Sequence, residues 1–220
     1  MLNRPKKVKF QSTQPTFSLP TPTPTYKNTP DWYRQMPGVE GTEMTIKKCV
    51  PFLDSMTSGY TLYLAADVEF TKDGFNTFTK VPTLTAHYKE QTLMVPVPPE
   101  YNSQPYKWEN FFVMTTPKGY STLFTHPLNR SELPFMSIAG IVDTDSHPIP
   151  VNFPFFIRKD FIGIIPAGTP IIQAIPFKRE TWVSEVDEEN GVKEHPDLHR
   201  MHNPPFGFYK KHWWSRKRYY

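Results

Sequence analysis

The 220-residue sequence predicts an all-β chain, and three observations carry that prediction. Proline occurs 25 times, where average usage of about 5% would give roughly 11; each proline removes a backbone donor and obstructs a helical turn, which excludes a helical bundle. Large aromatic side chains are plentiful, with 17 Phe, 11 Tyr and 5 Trp, and they suit half-buried pleated strands. Short apolar segments recur between Pro, Gly, Asn and Asp punctuation, the pattern of a sandwich or barrel-like domain.

Three regions follow from composition. Residues 1–40 form a Pro/Thr-rich arm, including Leu19-Pro20-Thr21-Pro22-Thr23-Pro24-Thr25-Tyr26. Pro-Thr alternation favours extended polyproline backbone, so the arm makes no core of its own and needs another surface to hold it, most simply another copy or another protein. Residues 41–180 carry the β pattern. Met44–Val50 reads as a short strand and Pro51–Thr57 as a turn or one helical turn. Tyr60–Phe70 reads as a long strand, ended by the Lys72-Asp73-Gly74 turn. Further strands are expected at Thr83–Tyr88, Trp108–Thr115, Tyr120–Thr125, Phe135–Val142, Phe153–Arg158 and Ile171–Phe177. Residues 181–220 hold an acidic linker, a short helix at His195–Met201 stopped by Pro204-Pro205, and a basic aromatic tail.

Charge is uneven along the chain. The net charge is +4, yet Arg4, Lys6, Lys7 and Lys9 lie in the first ten residues and Lys210, Lys211, Arg216, Lys217 and Arg218 near the other end. The body between them is therefore net acidic. Basic ends suit nucleic acid or the acidic face of a neighbouring subunit, and equally a solvated tail. The single Cys49 forms no internal disulfide and no multi-Cys zinc site, which fits a reducing compartment and also a disulfide-free secreted chain. No apolar run reaches the ~18 residues of a membrane span, and the charged start leads into no apolar stretch of a signal peptide. A cytosolic protein is expected.

Four segments, in order, resemble the motifs of the trimeric dUTPase and dCTP-deaminase superfamily, which has a β-clip or distorted-barrel fold. Ser58-Gly59-Tyr60-Thr61-Leu62-Tyr63 resembles A-G-Y-D-L-Y, and Pro117-Lys118-Gly119-Tyr120 resembles the P-x-G-Y turn. Ala139-Gly140-Ile141-Val142-Asp143 resembles A-G-V-I-D, and Ile165-Pro166-Ala167-Gly168-Thr169-Pro170-Ile171-Ile172-Gln173-Ala174-Ile175 resembles I-x-x-G-D-R-I-A-Q-L-I. The chain is also similar to a family carried by tailed phages. Thr116–Ser121, Thr125–Arg130, Val151–Ile157, Ile175–Glu180 and the aromatic–basic C-terminal run carry that likeness.

The superfamily resemblance implies a homotrimer whose neighbouring subunits complete each site. It also implies an Asp that activates water against a nucleotide phosphate, and Mg2+ on the triphosphate. Asp143 matches that Asp, Gln173 the Gln of the last motif, and Tyr60 the first motif, so these three are the nucleotide-site candidates. The departures weigh against catalysis: Thr61 replaces an Asp, and His126-Pro127-Leu128-Asn129 stands where R-S-S-L is expected. Arg130-Ser131 comes three residues late, Ser146 replaces an aromatic, and Thr169-Pro170 replace Asp-Arg. Asp143-Thr144-Asp145 has a structural reading too, since Asp side chains bond nearby backbone where strands end.

Two other groups draw attention. His195, His199 and His202 share one face of a helix and have spacing for a zinc ion, although a solvated face is the default. Trp213, Trp214, Tyr219 and Tyr220 among five cations suit docking on another subunit, or stacking on single-stranded nucleic acid. The expectation is a non-catalytic phage structural or accessory protein (decoration, cement or tail-associated) that needs no cofactor, touches other virion proteins, and passes from host cytoplasm to virion. The alternatives are a nucleotide binder or degenerate hydrolase using Mg2+, and a nucleic-acid binder acting through the tail.

Overall fold

The computed structural model describes residues 5–14, 18–79, 82–92, 94–186 and 207–220. Its centre is a five-stranded antiparallel sheet in the order β13-β11-β16-β5-β2, formed by Gly140–Val142, Tyr120–Thr125, Pro170–Lys178, Tyr60–Tyr63 and Thr23–Pro24. The four motif segments form or lead into four adjacent strands of this sheet. A four-stranded sheet, β12-β14-β9-β8 (Phe135–Ser137, Phe153–Ile157, Tyr106–Trp108, Leu84–Ala86), lies against it. A three-stranded sheet, β15-β6-β7 (Gly163–Ile165, Val68–Thr71, Gly74–Thr77), completes the body.

The core forms because alternate residues of these strands point the same way. Leu62, Ile172, Ala174 and Phe124 meet Phe153, Phe155, Trp108 and Phe135 between the two larger sheets. Trp108 and Phe155 stack with centroids 3.7 Å apart, and Phe124 meets Phe153 at 5.3 Å. Trp108 brings a polar N–H into this layer and donates it to Ser137 Oγ at 3.3 Å, which in turn donates to the Ile171 carbonyl at 2.9 Å. The indole is therefore buried with its donor partnered.

The chain is predominantly β, as expected, but its described sheets do not close into a barrel. Strands read as continuous break where the chain passes from one sheet to another, leaving open edges. Tyr60–Phe70 splits into β5 and β6, in different sheets, and Phe135–Val142 into β12 and β13. Trp108–Thr115 splits at Asn110, whose side chain accepts the Phe112 N–H at 3.0 Å and turns the chain into β10 (Phe112–Thr115). Residues 46–48 form a 3-10 turn in place of the expected strand. They lead into α2 (Val50–Thr57), with Pro51 in its first turn, where a missing N–H costs nothing.

The arm lies on its own chain. β1 (Lys9–Ser12) pairs with β10, and β2 pairs with β5 at the sheet edge. Helix α1 (Asp31–Gln35) packs Tyr33 on Phe52 of α2, leaving Tyr33 buried. The hairpin β3–β4 (Val39–Glu40, Glu43–Met44) closes the arm. The surface that polyproline character demanded is thus the chain's own body. No described helix is long and apolar enough to cross a membrane.

Candidate functional site

The nucleotide-site candidates share the central sheet without sharing a site. Tyr60 pairs with Ala174 while Gln173 pairs with Thr61, so strand alternation sends Tyr60 and Gln173 to opposite faces. Asp143 follows Val142, which is level with Pro176 across β11. Standard strand spacings put Asp143 on the order of 15 Å from Gln173.

Gln173 is buried, and its amide is fully engaged. Nε2 donates to the carbonyls of Ser55 at 2.8 Å and Ser58 at 2.7 Å, while Oε1 accepts the Leu128 N–H at 2.9 Å. One side chain thereby ties α2 and the 127–128 loop to β16. The space beside it, bordered by Thr25, Thr61 and Arg130, amounts to about 10 Å³. That holds one water at most, not a nucleobase.

Asp143 sits at the opposite end of the sheet in a polar cluster with Asp145, Ser121 and Arg179. Residues 143 and 145 point the same way from the end of β13, towards Arg179 just beyond β16. The Arg179 guanidinium bonds Asp145 and lies 3.2 Å from Asp143 Oδ1. Ser121 Oγ donates to Asp143 at 2.6 Å, and the Gly119 N–H donates to Asp145 at 2.7 Å. Asp145 has a side chain only 6% exposed. Its pKa falls from 3.8 to about 2, chiefly through the Arg179 hydrogen bond and then that of Gly119. Between the two acids, Thr144 Oγ1 bonds Thr116 and Thr122, both at 2.8 Å, filling the buried layer beneath. The cluster closes the ends of β11, β13 and β16.

These residues do not fit a magnesium ion. Asp143 Oδ1 already faces the Arg179 guanidinium and the Ser121 hydroxyl, and that guanidinium would repel a second cation at either oxygen of the carboxylate. Thr61, where the first motif has an acid, is buried against Thr25 at 3.2 Å. His126 is likewise engaged: Nδ1 accepts the Ser137 N–H at 3.4 Å, and Nε2 lies 3.2 Å from the Arg130 carbonyl. Burial lowers its pKa, the direction expected for an imidazole held neutral.

The tail residues dock on the body. Helix α3 (Phe208–His212) leads into Trp214, whose indole N–H donates to Asp54 of α2 at 2.8 Å; Lys217 reaches the same carboxylate at 2.7 Å. Tyr219 packs edge-on against Tyr60 at 5.8 Å, and burial foremost raises its pKa. Trp213 contacts Phe208 and Tyr209 and stays 44% exposed, and Tyr220 is 78% exposed. His195, His199 and His202 lie outside the described residues.

Sequence reasoning missed Arg179 and Asp54, the partners that decide what these groups do. The two-residue spacing of Asp143 and Asp145 is the local signal for a shared cation, but nothing local names which one. No protein-family model matches the chain, and no curated protein matches it significantly.

Proposed function

We propose that this chain is a non-catalytic structural or accessory protein of a phage particle, built on a dUTPase-like β-clip scaffold and assembling as a homotrimer. One observation carries the reading: the two polar groups that chemistry would need stand far apart on the sheet, Gln173 with its amide fully bonded internally and Asp143 with Oδ1 bonded to Ser121 and paired with Arg179. Groups that orient water or a base need free lone pairs facing a cleft. Here the Gln173 amide ties a helix and a loop to the sheet, and Asp143 Oδ1 faces Ser121 and Arg179 at a strand end.

The scaffold part of the reading is supported by the four motif segments forming or leading into neighbouring strands. Gly59 also has a physical need for glycine. Its φ is +77°, and a Cβ there would stand 2.2 Å from the Ala174 carbonyl oxygen. Assembly is supported by the sheet's outer face, where Ile141, Leu123 and Ile175 form one apolar row in register across β13, β11 and β16. Ile141 is 64% exposed on β13, the edge strand. An apolar edge of this kind is a template for pairing with a second copy, and closed rotational symmetry is the usual outcome. The setting, a virion and its other proteins, rests on the phage-family resemblance.

Mass spectrometry of purified particles from a phage encoding this chain tests the proposal. The chain is expected at a fixed copy number that is a multiple of three; absence from the particle contradicts the reading. Calorimetry with dUTP or dCTP and Mg2+ addresses the nucleotide alternative, with no saturable heat expected.

A further inference from the structure

Lys6 and Lys7 near the start of the chain and Arg216, Lys217 and Arg218 near its end come together along one groove. One stretch of about 690 Å³ runs between Lys6, Lys7, Tyr60, Tyr120 and Arg218. A second of about 700 Å³ continues between Lys210, Arg216, Lys217 and α2. Arg218, Tyr219 and Tyr220 line both, so the two stretches adjoin.

Charge in this groove is strongly one-sided. Six cationic side chains, Lys6, Lys7, Lys210, Arg216, Lys217 and Arg218, line it against one carboxylate side chain, Asp54. Asp54 is already occupied by Lys217 and the Trp214 indole. The other five cations make no ion pair among the described residues, and all are exposed. A tail kept only for solubility would project into water. This one is anchored at Trp214 and Tyr219, so Arg216 and Arg218 are presented from a fixed scaffold.

Aromatic rings alternate with these charges. Tyr60 and Tyr219 form a half-buried edge-to-face pair on the floor, Tyr120 stands on the same wall, and the Tyr220 ring lies open at the rim. A duplex hides its base faces; an unstacked strand offers them to exposed rings while its phosphates follow the cations. Cations line both stretches, and Tyr219 and Tyr220 lie where the two adjoin.

We propose that this groove binds single-stranded nucleic acid, with phosphates against Lys6, Lys7, Arg216 and Arg218 and a base stacked on Tyr220. The inference stands apart from the assembly reading, since it uses neither the outer sheet face nor the oligomeric state.

The test is fluorescence anisotropy with the full chain and a labelled oligothymidylate of about 20 nucleotides, longer than one such site, titrated from about 50 to 200 mM salt. Saturable binding that weakens steeply with salt is expected. The K6A/K7A pair flattens the slope of log K against log salt by about 1.4, at about 0.7 per lost phosphate contact, and R216A/R218A does the same. Tyr220→Ala weakens binding about tenfold and leaves the slope unchanged, as loss of a stacked base does. All five side chains are exposed, and circular dichroism verifies that each variant is folded. The proposal is overturned by absence of binding at low salt, or by a slope that responds to only one of the two cation pairs. It is also overturned if a matched duplex binds as tightly as the single strand while Tyr220→Ala has no effect.

Discussion

Gln173 holds three parts of the molecule through one amide, and its removal exposes how far that amide is structural. Gln173→Ala leaves the Leu128 N–H and two carbonyls without partners in a space about one water wide. A loss of about 3 to 5 kcal/mol is expected, measured by urea denaturation, because each stranded buried group costs about 1–3 kcal/mol. Two other residues set the acid response. Asp145 has its folded pKa lowered from 3.8 to about 2, so its contribution is complete above the ordinary value and disappears as pH falls through about 2. His126 has its pKa lowered from 6.5. The unfolded chain therefore takes up this proton first, and stability declines as pH falls below 6.5. Thermal melts are expected to show both declines. Asp145→Asn removes the acid one, and a melting temperature flat from pH 7 to 5 contradicts the His126 assignment.

At the scale of elements, the joints carry more information than the strands. Gly59 and Gly119 both have positive φ, +77° and +86°, and both precede motif strands. They differ in surroundings: a Cβ at Gly59 collides with the Ala174 backbone, whereas one at Gly119 meets nothing within 4 Å. Gly119→Ala is expected to cost only the left-handed backbone penalty, about 1–2 kcal/mol. Gly59→Ala must also push β5 away from β16, and is expected to cost more than about 3 kcal/mol or to prevent folding; equal losses contradict the packing described. The arm belongs at this scale as well. Removing residues 1–40 takes β1 from β10, β2 from β5, and Tyr33 from its place on α2. The truncated chain is expected to melt at a lower temperature. An unchanged melt shows that these pairings contribute nothing.

Across the whole molecule, the sequence was most informative where structure is local. β11 matches its expected span Tyr120–Thr125, and β14 and β16 match within a residue or two, because alternation and Gly/Pro boundaries act over a few residues. Some breaks are easily passed over: Asn110 is a turn-forming residue, but it lies within the aromatic run Trp108–Phe112 that reads as one strand. Pairings such as Lys9 with Thr115 join segments more than a hundred residues apart, and no local pattern encodes them. The same holds for the candidate site. Asp143 and Gln173 could be nominated from motifs, but their roles depend on Arg179, Leu128 and α2, which only the fold brings near.

In the proposed reading, the scaffold and the apolar row on the outer sheet face make assembly the property to test. Native mass spectrometry of the full chain, alongside Ile141→Asp, tests this most directly. The account predicts a closed species at three times the 25.7 kDa chain mass, shifted to monomer by a carboxylate placed at the exposed edge of the row. A wild-type chain that stays monomeric at every concentration, or a trimer indifferent to Ile141→Asp, contradicts it.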